Sequence, residues 1–296
     1  MRWVMRIGLW LIVLVIVVVG VLYLIGTARL NQKYSIAEPT LAIPTDAASI
    51  ARGRHLAVAL TKCEDCHAAS FRGAVFLDVP PFRLIAPNLT RGTGGIGAGL
   101  SDADYVRAIR DGVGPDGRGL LVMPAASYQY LSDADLADII AYVKSRPAVD
   151  NHLPETDIRP LGRILLGAGQ LPPPDASSID HSMTHVAVMH PAATVDYGHY
   201  IAQTGGCFSC HGAGLSGGAV PGVPPDYPHA QNITPTGIGQ WRDADIVHAL
   251  RVGKRPDGTT INTFMPWPDT AQMTDQEMTA LVMYLRTVPP RPTGTR

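Results

Sequence analysis

The sequence predicts a mostly α-helical protein in which an N-terminal transmembrane helix is followed by two tandem copies of one small domain. Three features support this prediction: a long uncharged apolar run near the N-terminus, an internal repeat at an offset of about 142–145 residues, and helical apolar periods behind polar N-cap residues. No strand pattern competes with the helical ones. The 30 glycines and 25 prolines among 296 residues indicate short helices joined by many loops.

The apolar run covers residues 7–28 and contains no charged side chain. As a helix it would be about 33 Å long, enough to cross the hydrocarbon core of a bilayer. The alternative is a cleaved secretory signal, whose apolar region is about 7–15 residues long and ends at small residues. Gly26-Thr27-Ala28 matches such a cleavage site only weakly, so we expect residues 1–34 to form an uncleaved anchor and a short stalk.

The rest of the chain repeats the same motifs in the same order. The aligned pairs include Cys63-Glu64-Asp65-Cys66-His67 with Cys207-Phe208-Ser209-Cys210-His211, Asn88-Leu89-Thr90 with Asn232-Ile233-Thr234, and Met123-Pro124 with Met265-Pro266. A chance repeat would not keep this order, so a duplication is the economical explanation. It predicts domains at residues 45–150 and 195–290, joined by a linker at residues 151–194.

Each repeat is predicted to contain two longer helices, because N-cap residues precede an apolar face. The expected boundaries are Ser101 to Gly112, Ser132 to Pro147, Asp243 to Gly253, and Thr274 to Pro289. A short helix is also expected at each cysteine motif.

Each repeat contains one Cys-x-x-Cys-His pentapeptide, and the two motifs use all four cysteines. Cysteines three residues apart on a helix share one face, where they can form thioethers to one porphyrin while the next imidazole faces the iron. A redox dithiol would need a strand pattern, and a zinc site would need a second ligand pair in both repeats. The motifs therefore predict two covalently bound haem c groups, attached through Cys63, Cys66 and His67 and through Cys207, Cys210 and His211.

Methionine is the predicted second axial ligand of both irons. Met123 and Met265 lie 56 and 54 residues after His67 and His211, at equivalent positions and each directly before proline. The other methionines lie in or beside the last helix, precede the anchor, or lack a counterpart in the other repeat. Ligation by histidine and methionine would make both irons six-coordinate, which suits the transfer of single electrons.

Other repeated polar residues have two interpretations. Asn88 and Asn232 would either hydrogen-bond a haem propionate or an axial ligand, or simply form an Asx turn. The linker histidines His181, His185 and His190 suggest a metal site, but the segment lacks a regular ligand spacing. The pattern indicates no ligand role for the other histidines outside the two motifs, which are His55, His152, His199, His229 and His248.

The linker also contains a short apolar run at residues 161–167, which is too short to cross a bilayer. We expect this run either to lie on the membrane surface or a partner protein, or to form a helix between the two domains.

These motifs resemble the class I cytochrome c fold, and more closely the multihaem cytochrome c subunits of bacterial membrane-bound alcohol and gluconate dehydrogenases. The resemblance rests on the strings at residues 232–241 and 245–258 and on Met265-Pro266, with looser versions at residues 88–90 and 114–117. It implies two class I cytochrome c domains and, because c-type haem is attached after export, a location in the bacterial periplasm with the N-terminus inside. Those subunits generally carry three haem domains, whereas this chain has two.

The predicted function is electron transfer without catalysis by the chain itself. A dehydrogenase, a quinol-oxidising complex or a terminal oxidase would be the membrane-associated redox partner, with a soluble electron carrier as another partner. A dihaem redox enzyme of the peroxidase or thiosulfate dehydrogenase type and a purely structural subunit are the alternatives. With 24 basic and 25 acidic side chains, the chain lacks the bulk charge that would attract nucleic acid.

Overall fold

The computed structural model describes residues 2–36, 40–223 and 226–295. An N-terminal helix, α1 (Arg2–Asn31), precedes the first repeat. The elements of this repeat are α2 (Ala47–His55), which continues as a π-helical turn (Leu56–Leu60), then α3 (Cys63–His67), β1 (Ala74–Val79), β2 (Phe82–Ala86), α4 (Asp102–Arg110), α5 (Ala125–Tyr128) and α6 (Asp133–Ser145).

The linker contributes β3 (Asp157–Ile158), α7 (Pro160–Gly167) and a 3₁₀ turn (Asp175–Ser177). The second repeat follows with α8 (Val195–Thr204), α9 (Cys207–His211), α10 (Pro235–Ile238), α11 (Asp243–Val252), α12 (Trp267–Thr270) and α13 (Asp275–Thr287). The prediction of a mostly helical chain with a long apolar N-terminal helix is confirmed.

The four longer helices begin and end close to where the sequence predicted, as α4, α6, α11 and α13. The Ser101 hydroxyl accepts a hydrogen bond from the Asp104 amide at the start of α4, and Thr274 caps α13 in the same way. Helix α11 ends at Gly253, whose φ of 68° lies in the left-handed region. Local capping chemistry therefore determined these boundaries.

The expectation that no strands occur is wrong in the first repeat. Strands β1, β2 and β3 form a three-stranded antiparallel sheet, with Val79 opposite Phe82 in the hairpin. Three consecutive apolar residues of β1, Val75, Phe76 and Leu77, are all exposed. Because this hairpin lies outside the core, its sequence lacks the alternation that marks a half-buried strand.

In each repeat the first helix crosses the last helix at a glycine. A Cβ atom at Gly53 of α2 would collide with the Asp138 carbonyl of α6. At the equivalent crossing, a Cβ atom at Gly198 of α8 would collide with the Ala280 carbonyl of α13. The missing side chains let the two backbones touch, so both apolar faces are buried in a core that the two repeats share.

A buried acid at the start of α6 joins the two repeats. Asp135, whose side chain is 1% exposed, accepts a hydrogen bond from Arg52 of its own repeat at 2.5 Å. It also accepts one from the hydroxyl of Tyr200, in the second repeat, at 2.6 Å. The same hydroxyl accepts a hydrogen bond from the Ser132 amide at 3.1 Å.

The second repeat makes the reciprocal contact through Glu277, which occupies the equivalent place in α13. Its carboxylate lies 3.4 Å from the hydroxyl of Tyr197 in its own repeat and 2.9 Å from Nε2 of His55 in the first. Burial alone would raise the pKa of Glu277, but hydrogen bonds from His55 and the Thr274 amide lower it overall. Because Arg52 aligns with Tyr197 and His55 with Tyr200, equivalent positions form both halves of the interface, as in a two-fold symmetric dimer.

The linker helix α7 packs against α1 and not between the two repeats. The helices are antiparallel, because a Cβ atom at Gly26 would collide with the Arg163 carbonyl and one at Gly167 with the Leu22 carbonyl. Arg29 donates a hydrogen bond to the Leu166 carbonyl at 2.6 Å. Within the described residues, α1 is the one helix long and apolar enough to cross a membrane.

Replacement of Tyr200 by Phe tests the interface. The Tyr200→Phe protein is expected to lose about 2 kcal/mol of unfolding free energy, because Asp135 and the Ser132 amide both lose a buried hydrogen-bond partner. Denaturant unfolding of the haem-loaded protein measures the loss. The control, Tyr130→Phe, alters an exposed tyrosine and should leave the midpoint unchanged; equal midpoints for both variants would contradict the interface described above.

Candidate haem sites

In the second repeat, four residues predicted from the sequence line one open cleft. Cys207, Cys210 and His211 belong to α9, and Met265 lies in the loop directly before α12. The cleft has a volume of about 1090 Å³, including space that is open to solvent. Its remaining walls are mainly apolar and come from α10, α11 and α13 and from the loops at residues 228–233 and 255–264. The fold has therefore gathered the predicted attachment and axial residues around one cavity.

The imidazole of each motif is oriented by a backbone carbonyl. Nδ1 of His211 lies 2.6 Å from the carbonyl oxygen of Gln231, and Nδ1 of His67 lies 3.1 Å from that of Pro87. A carbonyl only accepts, so Nδ1 carries the proton and donates, and Nε2 is the nitrogen that can bind iron. Histidines that bind metals usually donate their other N–H in this way. Neither carbonyl was predicted from the sequence, although Pro87 and Gln231 each directly precede a repeated Asn-Leu/Ile-Thr triplet.

In the first repeat, Cys63, Cys66 and His67 lie on α3, and Met123 lies in the loop directly before α5. Both Cys63 and Met123 are partly buried against the core. The His67 ring stacks on Phe71, with ring centroids 6.3 Å apart. Burial lowers the pKa of His67, which favours the neutral imidazole that metals bind.

None of the four cysteines forms a disulfide. Burial raises the pKa of Cys63 and of Cys66 to about 11, so these thiols are protonated at neutral pH. A protonated thiol is a poor nucleophile in disulfide exchange, which argues against a redox dithiol. The described residues also contain no cluster of three or more His, Cys, Asp or Glu side chains suited to a metal ion, so the zinc and linker-metal alternatives gain no support.

The repeated asparagines form turns. The Oδ1 atom of Asn88 accepts hydrogen bonds from the amide and hydroxyl of Thr90, and its Nδ2 donates to the Val149 carbonyl at 2.8 Å. Asn232 bonds Thr234 in the same way, and its Nδ2 donates to the Arg291 carbonyl. Each asparagine thus ties its loop to the chain that follows the last helix of its repeat. The Asx-turn interpretation is confirmed for both.

Two further histidines make structural contacts within the protein. His181 of the linker uses both ring nitrogens, at 2.6 Å from Asp111 and 2.9 Å from the Ala176 carbonyl. His199 stacks on Tyr284, with ring centroids 4.9 Å apart.

Two contacts connect the surroundings of the two attachment motifs across the interface between the repeats. The hydroxyl of Ser127, four residues after Met123, lies 3.1 Å from that of Ser209, inside the second Cys-x-x-Cys. The Lys62 ammonium, directly before the first motif, donates to the Gly205 carbonyl at 2.9 Å. No sequence pattern foretold these contacts, since the pairs are far apart in the chain. They place the two sites next to each other.

The residues present fit a covalently attached haem in each repeat. Reduced cysteines lie one helical turn apart, and the imidazole beside them is held by a carbonyl through the nitrogen that iron does not use. In the second repeat a large apolar cleft connects these groups with a methionine. This donor set matches the chemistry of c-type haem attachment.

Comparisons with known proteins point the same way. A family model described as cytochrome c matches residues 50–147 and again residues 195–289. The cytochrome c subunit of the quinone-dependent alcohol dehydrogenase from Gluconacetobacter polyoxogenes is 37% identical over 100 residues, covering 31% of this chain and 21% of that protein. The gluconate 2-dehydrogenase cytochrome c subunit from Pantoea cypripedii is 36% identical over 99 residues, covering 31% of this chain and 22% of that protein.

A longer match joins both repeats. The fructose dehydrogenase cytochrome subunit from Gluconobacter japonicus is 25% identical over 290 residues, covering 86% of this chain and 56% of that protein. The chain thus spans about a fifth of the first relatives and about half of the last. Because the family model matches more than half of the chain and does so once in each repeat, this protein belongs to the cytochrome c family.

Proposed function

We propose that the chain is a membrane-anchored dihaem c-type cytochrome that relays single electrons on the periplasmic side of the bacterial inner membrane. In this proposal residues 1–34 form the anchor and stalk, residues 45–150 and 195–290 each hold one haem, and residues 151–194 link them. The observation that carries the proposal is that two equivalent Cys-x-x-Cys-His helices each have their imidazole held by a carbonyl, and that the second of these helices contacts the first repeat at Ser127.

Equivalent residues have the same proposed roles in both repeats. The cysteines hold the group covalently, and the Pro87 and Gln231 carbonyls fix the planes of His67 and His211. Met123 and Met265 would supply the second protein ligand of each iron. When bound, the haem supplies an iron that accepts and returns one electron.

The position of the two sites supports transfer within the chain. The contact between Ser127 and Ser209 joins the loop that carries Met123 to the helix that carries His211. The shared core and the buried acids at Asp135 and Glu277 hold this contact in place. An electron that enters one repeat therefore has a short path to the other.

The contact between α1 and α7 supports membrane anchoring. Gly26 and Gly167 let the two helices touch, as small residues do between helices in membranes. Leu22 lies inside the uncharged run, so the C-terminal end of α7 approaches the part of α1 that would be in lipid. Arg29 closes the contact at the polar end of the run. The first repeat, which α7 joins, is then the one nearer the membrane.

The named relatives suggest the partner. They are cytochrome subunits of alcohol, gluconate and fructose dehydrogenases, so a membrane-bound dehydrogenase is the proposed electron donor. The chain itself would contribute electron transfer and no catalysis. A quinol-oxidising complex, a terminal oxidase and a soluble carrier are the other redox partners that this role allows.

Loss of a methionine ligand is expected to open one iron. The reduced native protein should not bind carbon monoxide, whereas Met265→Ala should bind about one carbon monoxide per chain, because the second iron loses its sixth ligand. Absorbance difference spectra measure the binding. Met183→Ala, which changes a linker methionine without a counterpart in the repeat, is the control. Binding by the intact native protein would favour a dihaem enzyme of the peroxidase or thiosulfate dehydrogenase type.

Membrane topology is tested on the full chain in a bacterium that matures c-type cytochromes. After an alkaline carbonate wash the haem-stained protein is expected to remain with the membranes, because α1 spans the bilayer. Protease added to spheroplasts should then remove the haem-stained domains. Release by the wash would exclude the anchor, and protection from protease would place the domains on the cytoplasmic side.

Partnership is tested by gentle detergent extraction of native membranes followed by size separation, with detection of haem absorbance. A dehydrogenase is expected to travel with the haem in a constant ratio, and mass spectrometry of that fraction identifies it. A haem peak that runs at the mass of this chain alone would exclude a permanent subunit and leave a tethered carrier.

A further inference from the structure

The two attachment helices occupy equivalent places but differ in charge. Lys62, directly before α3, aligns with Gly206 before α9. Asp65, inside α3, aligns with Ser209 inside α9. The first repeat thus carries two charges at these positions and the second carries none, while Asp269 of the second repeat is a further charge near Lys62 and Asp65.

The backbone at Lys62 is strained. Its φ and ψ are 53° and 37°, in the left-handed region, where Gly206 has 74° and 19°. This region favours glycine, and the second repeat uses glycine there. A lysine kept in such a conformation points to a role for its side chain.

The side chain of Lys62 reaches into the other repeat. Its ammonium donates to the Leu60 carbonyl at 2.8 Å and to the Gly205 carbonyl at 2.9 Å, two residues before Cys207. Burial lowers the pKa of Lys62, and the neighbouring Cys207 and Asp269 oppose this shift. Burial likewise raises the pKa of Cys207, and the charge of Lys62 opposes that rise. The positive charge therefore acts on the attachment site of the second repeat.

The carboxylate of Asp65 belongs to the attachment helix of its own repeat, where it lies between Cys63 and Cys66. Ser209 stands at the equivalent place between Cys207 and Cys210. The first attachment helix therefore carries a negative charge that the second one lacks.

We propose that Lys62 tunes the reduction potentials of the two sites. Its positive charge raises the reduction potential of the second site above that of the first. The inference rests on the proposed function, in which each repeat holds one haem. A positive charge stabilises the reduced iron, which carries one positive charge fewer than the oxidised iron. Because the ammonium is partly buried and donates to two backbone carbonyls, salt screens its effect less than that of an exposed charge. Electrons then move favourably from the first site to the second, and Asp65 acts in the same direction.

Redox titration of the full-length, haem-loaded protein, followed by absorbance, tests the inference. Lys62→Gly inserts the residue that the second repeat already uses and removes the backbone strain, so we expect this variant to fold. The second-site potential should fall by an amount equivalent to a tenfold change in the oxidised-to-reduced ratio, about 59 mV for one electron. The reduction potential of the first site should change by less. A Met265→His background labels the second site by its changed spectrum.

Three further proteins separate charge from structure. Lys62→Arg keeps the charge and should keep the native difference between the two potentials. The double variant Lys62→Gly with Asp65→Ser makes the first motif match the second at both positions. Among these proteins it should have the lowest second-site reduction potential relative to that of the first site. Lys254→Gln removes an exposed lysine of the second repeat and should leave both potentials unchanged.

The outcomes distinguish this inference from the proposed function. Equal shifts at both sites, no shift beyond that of Lys254→Gln, or a fall in Lys62→Arg as large as in Lys62→Gly would overturn the role of the charge. A native protein that stains for fewer than two haems per chain would overturn the proposed function instead.

Discussion

The arrangement of this protein depends on two buried acids that each join one repeat to the other. Asp135 and Glu277 stand at equivalent places at the start of the last helices, and each bonds one partner in its own repeat and one in the other. A buried carboxylate is costly unless it is hydrogen-bonded, so these contacts specify one packing of the repeats. That packing places Ser209 of the second cysteine motif against Ser127 of the first repeat, and Lys62 of the first repeat against Gly205 of the second.

The two repeats also differ in structure. The first repeat carries the β1–β2 hairpin and meets α7, which packs on the N-terminal helix through Gly26 and Gly167. The second repeat has an open cleft around His211 and Met265. The charges at Lys62 and Asp65 also belong to the first repeat only. One repeat thus contacts the helix that packs on α1, while the other holds the open cleft.

The site chemistry was predictable where it depends on residues close in the chain. The cysteines three apart, the adjacent histidine and the helix caps at Ser101 and Thr274 act over a few residues, so the sequence predicts them directly. The exposed strand β1 was not predictable, since neither of its faces is buried and no alternation marks it. The turns at Asn88 and Asn232 could be named only as one of two alternatives, because the carbonyls that accept from each Nδ2, and so leave it no haem contact, lie about 60 residues further along the chain.

The sequence by itself determined the duplication, the cytochrome c motifs, the helix boundaries and the long apolar helix, because each is written in local spacing or in repeated order. Only the tertiary structure decided that Pro87 and Gln231 orient the imidazoles, that α7 packs on α1, and that Lys62 reaches the second site. The physical reason is that hydrogen bonds and close helix contacts between distant segments depend on how two surfaces meet. The residue pattern of one segment does not show which distant segment it will contact.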